Sequence, residues 1–157
     1  MEVLIMEVFE MIKSRKAVRH YSGQITDEQL QKILTAANAA AVGMGEFDNY
    51  RLTVIQKEDV LNKLSGIYNA PTVIVVSAKD PSVMEDISAG TIVHNMELMA
   101  EDQGLGANYN MASLGSIPDG VVPNGFKPIF ALTLGQTTEK FVPREISMDK
   151  IKTNIIK

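Results

Sequence analysis

The sequence has no cysteine and no tryptophan. Without cysteine there can be no disulfide, no thiolate metal site and no cysteine nucleophile. That composition suits a reducing compartment, so a cytoplasmic location is the expectation. Histidine is scarce: His20 and His94 stand far apart, no H-x-x-x-H pair exists, and no carboxylates flank either at metal spacing. No metal site is expected, and His94, in the middle of an apolar helical stretch, reads as a hydrogen-bonded core histidine. Long apolar runs are also missing. The opening "MEVLIMEVFEMIKSRK" has an acidic second residue and no apolar run longer than "VLIM", so neither a signal peptide nor a membrane span is expected.

Positive charge is in deficit overall. With 15 Lys+Arg against 19 Asp+Glu, the formal net charge is −4. General nucleic-acid binding relies on broad phosphate neutralisation and is disfavoured. Familiar catalytic motifs are absent as well: there is no G-x-S-x-G elbow and no Walker lysine loop. "GLGANYNMASLG" is glycine-rich, but its G-x-G-x-x-G register fails and it follows a helix rather than a strand. A chain without a catalytic constellation of side chains points to a cofactor that carries the chemistry itself.

What is present is a local excess of cations. "MIKSRKAVRHY", residues 11–21, holds Lys13, Arg15, Lys16 and Arg19 and no anion. Three readings compete on the residues alone: a solvated helix end, a nucleic-acid patch, or a pocket for one small, highly charged ligand. A helix C-terminus favours cations through its dipole, which accounts for Lys13 and Arg15 but less well for Arg19, beyond the expected helix end.

At 157 residues, 45% of them apolar, the chain is one domain with enough side chains for a core. Apolar spacing predicts a helix from about Val3 to Arg15. "ITDEQLQKILTAANAA" predicts a second, with Thr26 as N-cap and Gln29 as its capping-box partner. "YRLTVIQ" alternates like a strand. "KEDVLNKLSGI" reads as a short helix, and "APTVIVVSA" as a strand covered on both faces. "MEDISAGTIVHNMELMAEDQGLG" is the longest helix, ended by Gly104 or Gly106. "KPIFALTLG" is a last strand, followed by a tail bearing Lys140 and Arg144. The nine methionines read as core filler. Together these elements predict an α+β domain in three layers, a mixed central sheet flanked by helices.

Four stretches, in order, resemble the FMN-dependent nitroreductase family. "MIKSRKAVRHY" resembles its I-x-x-R-R/H-S-x-R-x-[FY] signature. "NAPTVIVVSAKD" resembles its Ala-Pro strand. "DISAGTIVHNMELMAEDQGLGANY" resembles its long helix ending in G-L-G-x-x-W, and "LTLGQTTEKFVPRE" its closing L-G-x-x-x-E-K-x-x-x-R segment. The likeness covers nearly the whole chain. It implies a single nitroreductase-like flavin-binding domain over residues 1–157, with a C-terminal extension from about residue 136.

The resemblance also implies the chemistry. FMN would be the cofactor, NAD(P)H the hydride donor, and a small-molecule acceptor such as a nitroaromatic or quinone the oxidant. The catalytic atom would be the flavin N5 rather than a side chain. By position, Arg15, Lys16 and Arg19 would meet Lys140 and Arg144 at the FMN phosphate. Ala17 replaces the family's serine and leaves only its backbone N–H. Arg19 is the candidate cation near the flavin N1/O2, and a backbone N–H at Met111 or Ala112 the donor to N5. The resemblance implies a homodimer with FMN at the interface, and the broad apolar surface of the helix around Ile92–Met99 points the same way. No nucleic acid and no membrane is expected as a partner.

One segment departs from the family. From Val42 to Leu52, "VGMGEFDNYRL" carries Glu46, Asp48 and Tyr50 where the family has Asn, Gln and Trp. The resemblance implies that this segment lies beside the flavin ring, and Gly43 and Gly45 let the backbone approach a planar ligand, so Met44 or a backbone group from Gly43 to Glu46 is expected at the ring from the partner subunit; a plain turn is the other reading. The departure motivates a second functional reading, an FMN-binding or regulatory protein with little turnover.

Overall fold

The computed structural model describes residues 7–157. The first helix, α1 (Val8–Ser14), ends one residue before its predicted limit, and its predicted start at Val3 lies outside the described residues. Thr26 opens α2 (Asp27–Asn38) with the predicted capping box: its Oγ1 accepts from the Gln29 N–H, and Gln29 Oε1 accepts from the Thr26 N–H. Strand β1 (Tyr50–Ile55), helix α3 (Glu58–Leu61) and strand β2 (Thr72–Ala78) follow, and every residue of β2 is buried. The long helix α4 (Val83–Asp102) starts from a second capping box, Ser82 with Glu85. Gly104, at φ +73°, turns the chain out of it.

The next segment was not expected to be regular. Leu105–Asn110 is a strand, β3, paired along its length with β4 (Lys127–Gln136). Gly and Asn are poor strand formers, so "LGANYN" reads as a turn by propensity. The pairing overrides it: Leu105 and Ala107 join the core facing α4, while Asn108 and Asn110 turn to the other face.

The sheet order is β1-β2-β4-β3, and all three neighbouring pairs are antiparallel. The expectation of a mixed sheet is therefore corrected. β2 and β3 do run parallel to each other, joined across by α4, but β4 lies between them and takes the hydrogen bonds of both. The flanking layers also differ from the expected helices on both faces. One face, with Ile74, Val76, Leu132 and Leu134, packs under α2 and α4. The other, with Val73, Val75 and Ala131, is covered by short α3 and by irregular stretches carrying Leu64, Ile67 and Leu114. Met96 fills the core as predicted, but Met44, Met84, Met111 and Met148 are exposed. After β4, residues 137–157 form no helix or strand.

Between α1 and α2 the chain is strapped to the β3–β4 edge. The Val18 N–H donates to the Ala107 carbonyl at 2.9 Å, and Gly23 bridges Gln136. The Tyr21 hydroxyl hydrogen-bonds the Val18 carbonyl and Thr133. Burial pushes that hydroxyl's pKa up to about 12, so it stays protonated. The strap needs two bare backbones: a Cβ on Gly106 would lie 2.6 Å from Val18, and one on Gly135 2.7 Å from the Tyr21 ring and 2.9 Å from Pro71. Gly135→Ala is therefore expected to lower the unfolding free energy by about 1–3 kcal/mol in urea denaturation, as overpacking does. Gly90→Ala is the control: nothing lies within 4 Å of its Cβ, so the gain in helix propensity, up to about 1 kcal/mol, should leave α4 no less stable.

Candidate functional site

Two carboxylates on one face of α4 organise the end of α1. Glu97 and Glu101 are one helical turn apart and only 3% and 6% exposed. Ser14 donates to Glu101 at 2.7 Å, and the Arg15 Nη1 donates to Glu97 at 2.9 Å. On the other side of Glu97 stands Tyr109 from β3, whose hydroxyl also meets the His94 Nδ1. His94 is thus the hydrogen-bonded helix histidine the sequence predicts, half-buried rather than in the core.

The electrostatics follow from burial. Desolvation works against the Arg15 charge, but the hydrogen bond and charge of Glu97 outweigh it, and the guanidinium pKa is raised. Burial raises the Glu101 pKa; the Ser14 hydrogen bond opposes this and the Glu97 charge adds to it. Burial, then the neighbouring Glu97 charge, raises the Tyr109 pKa as well, so this tyrosine remains neutral.

The tail reaches the same place. The Arg144 Nε donates to the Lys13 carbonyl at 2.9 Å and its Nη2 to the Arg15 carbonyl at 2.7 Å, while its backbone N–H also reaches Lys13. One guanidinium fork thus closes the carbonyl end of α1 and pins the tail there. Lys16 pairs with Glu139 at 3.3 Å and lies over the Phe141 ring. Arg15, Lys16 and Arg144 are therefore brought together, and Lys140 sits exposed between Glu139 and Phe141. Arg19 extends the group toward Tyr68, with its guanidinium 5.8 Å from the ring centroid. Among the described residues, neither Arg19 nor Lys140 makes an ion pair.

Tyr68 and Asn69 both hold left-handed backbone, at φ +56° and +55°. Their turn is braced from β3: Asn110 Nδ2 donates to the Gly66 carbonyl at 2.8 Å, and Asn110 Oδ1 accepts from the Ser113 N–H. A Cβ on Gly66 would lie 2.7 Å from the Ala112 Cβ. So Ala112 and Arg19 flank one turn, and Met111, beside Ala112, is 66% exposed. Ala17 is half-buried between Lys16 and Val18.

Gly43 and Met44 lie elsewhere. The Gly43 N–H donates to the Ser88 Oγ, near the start of α4, and a Cβ there would strike the Met84 side chain. Gly45 takes φ +67°; Met44 itself is at φ +56° and 81% exposed. Both glycines have local work in this turn. Ser88 and Glu97 are nine residues apart on α4, about 13 Å along the helix. Within one chain the loop and the cations do not meet.

A phosphate-bearing group fits the cationic end. Arg19 and Lys140 are unpaired, Arg15 has spent one N–H group on Glu97, and the Arg144 Nη1 has no described partner. Sequence reasoning missed Ser14, Glu97, Glu101, Tyr68 and Tyr109. Only the carboxylates left a signal, two charges four apart among the apolar positions of the second half of α4.

Comparison with known proteins finds similar sequences and folds. The Nitroreductase family model matches residues 49–115. A protein of Methanothermobacter thermautotrophicus, provisionally named NADH dehydrogenase/NAD(P)H nitroreductase, is 26% identical and aligns over 92% of this chain and 88% of its own. A nitroreductase family protein from Clostridium difficile 630 superposes with a TM-score of 0.73 at 25% identity, over 94% of this chain and 98% of that one. A nitroreductase with bound FMN from Bacteroides fragilis superposes with a TM-score of 0.76 at 23% identity, over 98% and 100%.

The buried carboxylate gives a pH test. The folded-state pKa of Glu101 is raised, so the folded protein binds more protons than the unfolded chain between the unfolded pKa near 4.3 and the raised folded value. Stability contributed by this group falls as pH rises through that window. Glu101→Gln keeps an acceptor for Ser14 and removes the charge. Thermal unfolding should show the variant more stable than wild type at pH 8, with the difference closing as pH falls toward the unfolded value near 4.3.

Proposed function

We propose that the chain is a member of the nitroreductase family and, within it, an FMN-dependent oxidoreductase that takes reducing equivalents from NAD(P)H. Its acceptors are small molecules of the nitroaromatic or quinone class. Residues 1–157 act as one flavin-binding domain, extended from about residue 136. When bound, FMN supplies the redox chemistry, accepting hydride from the nicotinamide and passing electrons to the acceptor.

The observation that carries this reading is the meeting of the tail with the end of α1, where Arg144 closes on the Lys13 and Arg15 carbonyls. It puts the cations of two distant segments around one exposed point, as recognition of a phosphate ester requires. In this reading Arg15, Lys16 and Lys140 hold the phosphate, with the backbone N–H of Ala17. Arg144 acts chiefly by fixing the carbonyl end of α1. Arg19, on Tyr68, lies toward the ring and supplies positive charge where negative charge develops. The backbone at Met111–Ala112, held by Asn110 and the Gly66 turn, offers a donor on the same side.

We also propose a homodimer. The apolar breadth of α4 at Ile92–Met96 is largely consumed inside the chain by α2 and the sheet. The supporting surface lies instead in exposed apolar side chains: Phe9 on α1, Val83 and Ile87 on α4, and Met148, Ile151 and Ile156 in the tail. Light scattering should give twice the 17.2 kDa chain mass at both dilute and high concentration; a flavin-binding monomer would refute the dimer.

Purified protein should be yellow, or turn yellow with added FMN, and should oxidise NADH or NADPH in the presence of a quinone or nitroaromatic. A protein that holds FMN without oxidising either nucleotide would be the binder or regulator instead. Arg19 is the cleanest residue to test because it has no ion pair to break. Arg19→Ala should weaken FMN binding by about 1.5–3 kcal/mol, and flavin-free stability should change by less than about 0.5 kcal/mol. Unchanged affinity would remove Arg19 from the flavin site. Arg15→Ala should lower both, since it strips a buried carboxylate of its cation.

A further inference from the structure

We propose that Glu97 is a positioning residue: it fixes the Arg15 guanidinium so that the remaining N–H groups of Arg15 are presented to a phosphate ester at the α1 end. The inference rests on the flavin reading for the identity of that ester, but its geometry stands on this chain alone. Glu97 is 3% exposed and belongs to a helix of 20 residues packed on α2 and the sheet. Arg15 is on irregular chain one residue beyond α1 and keeps about a third of its side chain exposed. A long cationic side chain at such a place is free to sample many rotamers, and immobilising it on binding is costly. The contact of Arg15 Nη1 with Glu97 at 2.9 Å removes most of that freedom beforehand and uses one arm of the fork. The Nη2 and Nε groups stay available for a bidentate anion.

The groups around the pair oppose its release. Tyr109 of β3 stands beside Glu97 and is neutral; His94, on α4, is occupied by the same tyrosine; Glu101, next on α4, is held by Ser14 of α1; and Arg144 of the tail is committed to backbone carbonyls. Tyr109, His94 and Arg144 cannot take the place of Glu97 without giving up their own bonds, and Glu101, whose Oε1 holds Ser14 while its Oε2 has no partner, is the one of the four that could stand in for it. A buried carboxylate cannot follow an anion into solvent, so the arriving phosphate meets an arginine already aimed.

The test compares FMN with riboflavin, which lacks the phosphate, by flavin fluorescence titration on flavin-free protein. Glu97→Ala should weaken FMN about tenfold or more and leave riboflavin affinity unchanged. Glu97→Gln, which keeps an acceptor for Nη1, should restore most of the FMN affinity. In an Arg15→Ala background, Glu97→Ala should cost nothing further, because the function of Glu97 is exerted through Arg15. Equal loss for FMN and riboflavin would make Glu97 merely structural, and tighter FMN binding by Glu97→Ala would make it a competitor of the phosphate. Either result overturns the proposal, as would additive losses. A second readout needs no flavin. The Arg15 Nη1–H group, bonded to Glu97, should give a distinct, slowly exchanging side-chain NMR signal in wild type and in Glu97→Gln, and lose it in Glu97→Ala. A wild type that binds no flavin yet keeps this signal would overturn the flavin reading while supporting the positioning; a signal indifferent to Glu97 would overturn the positioning itself.

Discussion

Two negative charges buried on α4 are the constraint around which this edge of the molecule is built. Glu97 and Glu101 sit in a helix whose other inward positions are apolar or small. A carboxylate removed from water must be hydrogen-bonded and paired, or its burial costs several kcal/mol, on the order of the whole stability margin of a domain. The pairing here comes from one short stretch, Ser14 and Arg15, so the end of α1 cannot be placed elsewhere. Arg15 then exposes the last carbonyls of α1, and Arg144 caps them. A packing problem in one helix thereby fixes a chain segment some eighty residues earlier and a tail some forty residues later.

The same stretch is fixed from the sheet side. Val18 inserts where Gly106 has no side chain, and Tyr21 lies where Gly135 has none. Lys16 and Arg19, between the Ser14–Arg15 contacts and Tyr21, therefore project from chain held at both ends. That arrangement suits recognition of a charged group, because the ordering entropy of the segment has been met by folding rather than by binding. The strained turn at Tyr68–Asn69 belongs to the same pattern: two left-handed non-glycine residues persist in a turn that Asn110 braces from β3.

Most of the regular structure was legible because it rests on local chemistry. The Thr26–Gln29 capping box, the alternation of "YRLTVIQ" and the unbroken apolar run "TVIVV" each carry their own signal. What escaped depends on distant partners. Strand β3 has turn-like composition and exists only because β4 pairs with it, and the absence of a parallel neighbouring pair follows from β4 entering between β2 and β3. The cation cluster was visible as residue types and spacing, whereas the carboxylates that direct it were hidden inside a helix read as apolar. The resemblance puts Arg144 at the phosphate; the fold adds that its fork closes on two carbonyls, an interaction that no spacing rule encodes.

The position of the Gly43–Met44 loop carries the last step. That loop leads into β1, at one edge of the sheet, while Met111–Ala112 leaves β3 at the other. Three strand spacings separate the edges, about 14 Å, and the loop rests against the first turns of α4, whereas Arg15 meets its last turns. The tricyclic ring of a flavin is shorter than that span. If the ring lies beside Arg19 and Ala112, Met44 of the same chain cannot touch it, and the exposure of Met44 leaves it facing outward. A contact between Met44 and the ring thus demands a second copy of the chain whose loop reaches across. Loop contact therefore requires dimerisation, and a monomer would leave Gly43 and Gly45 with only the turn to explain them.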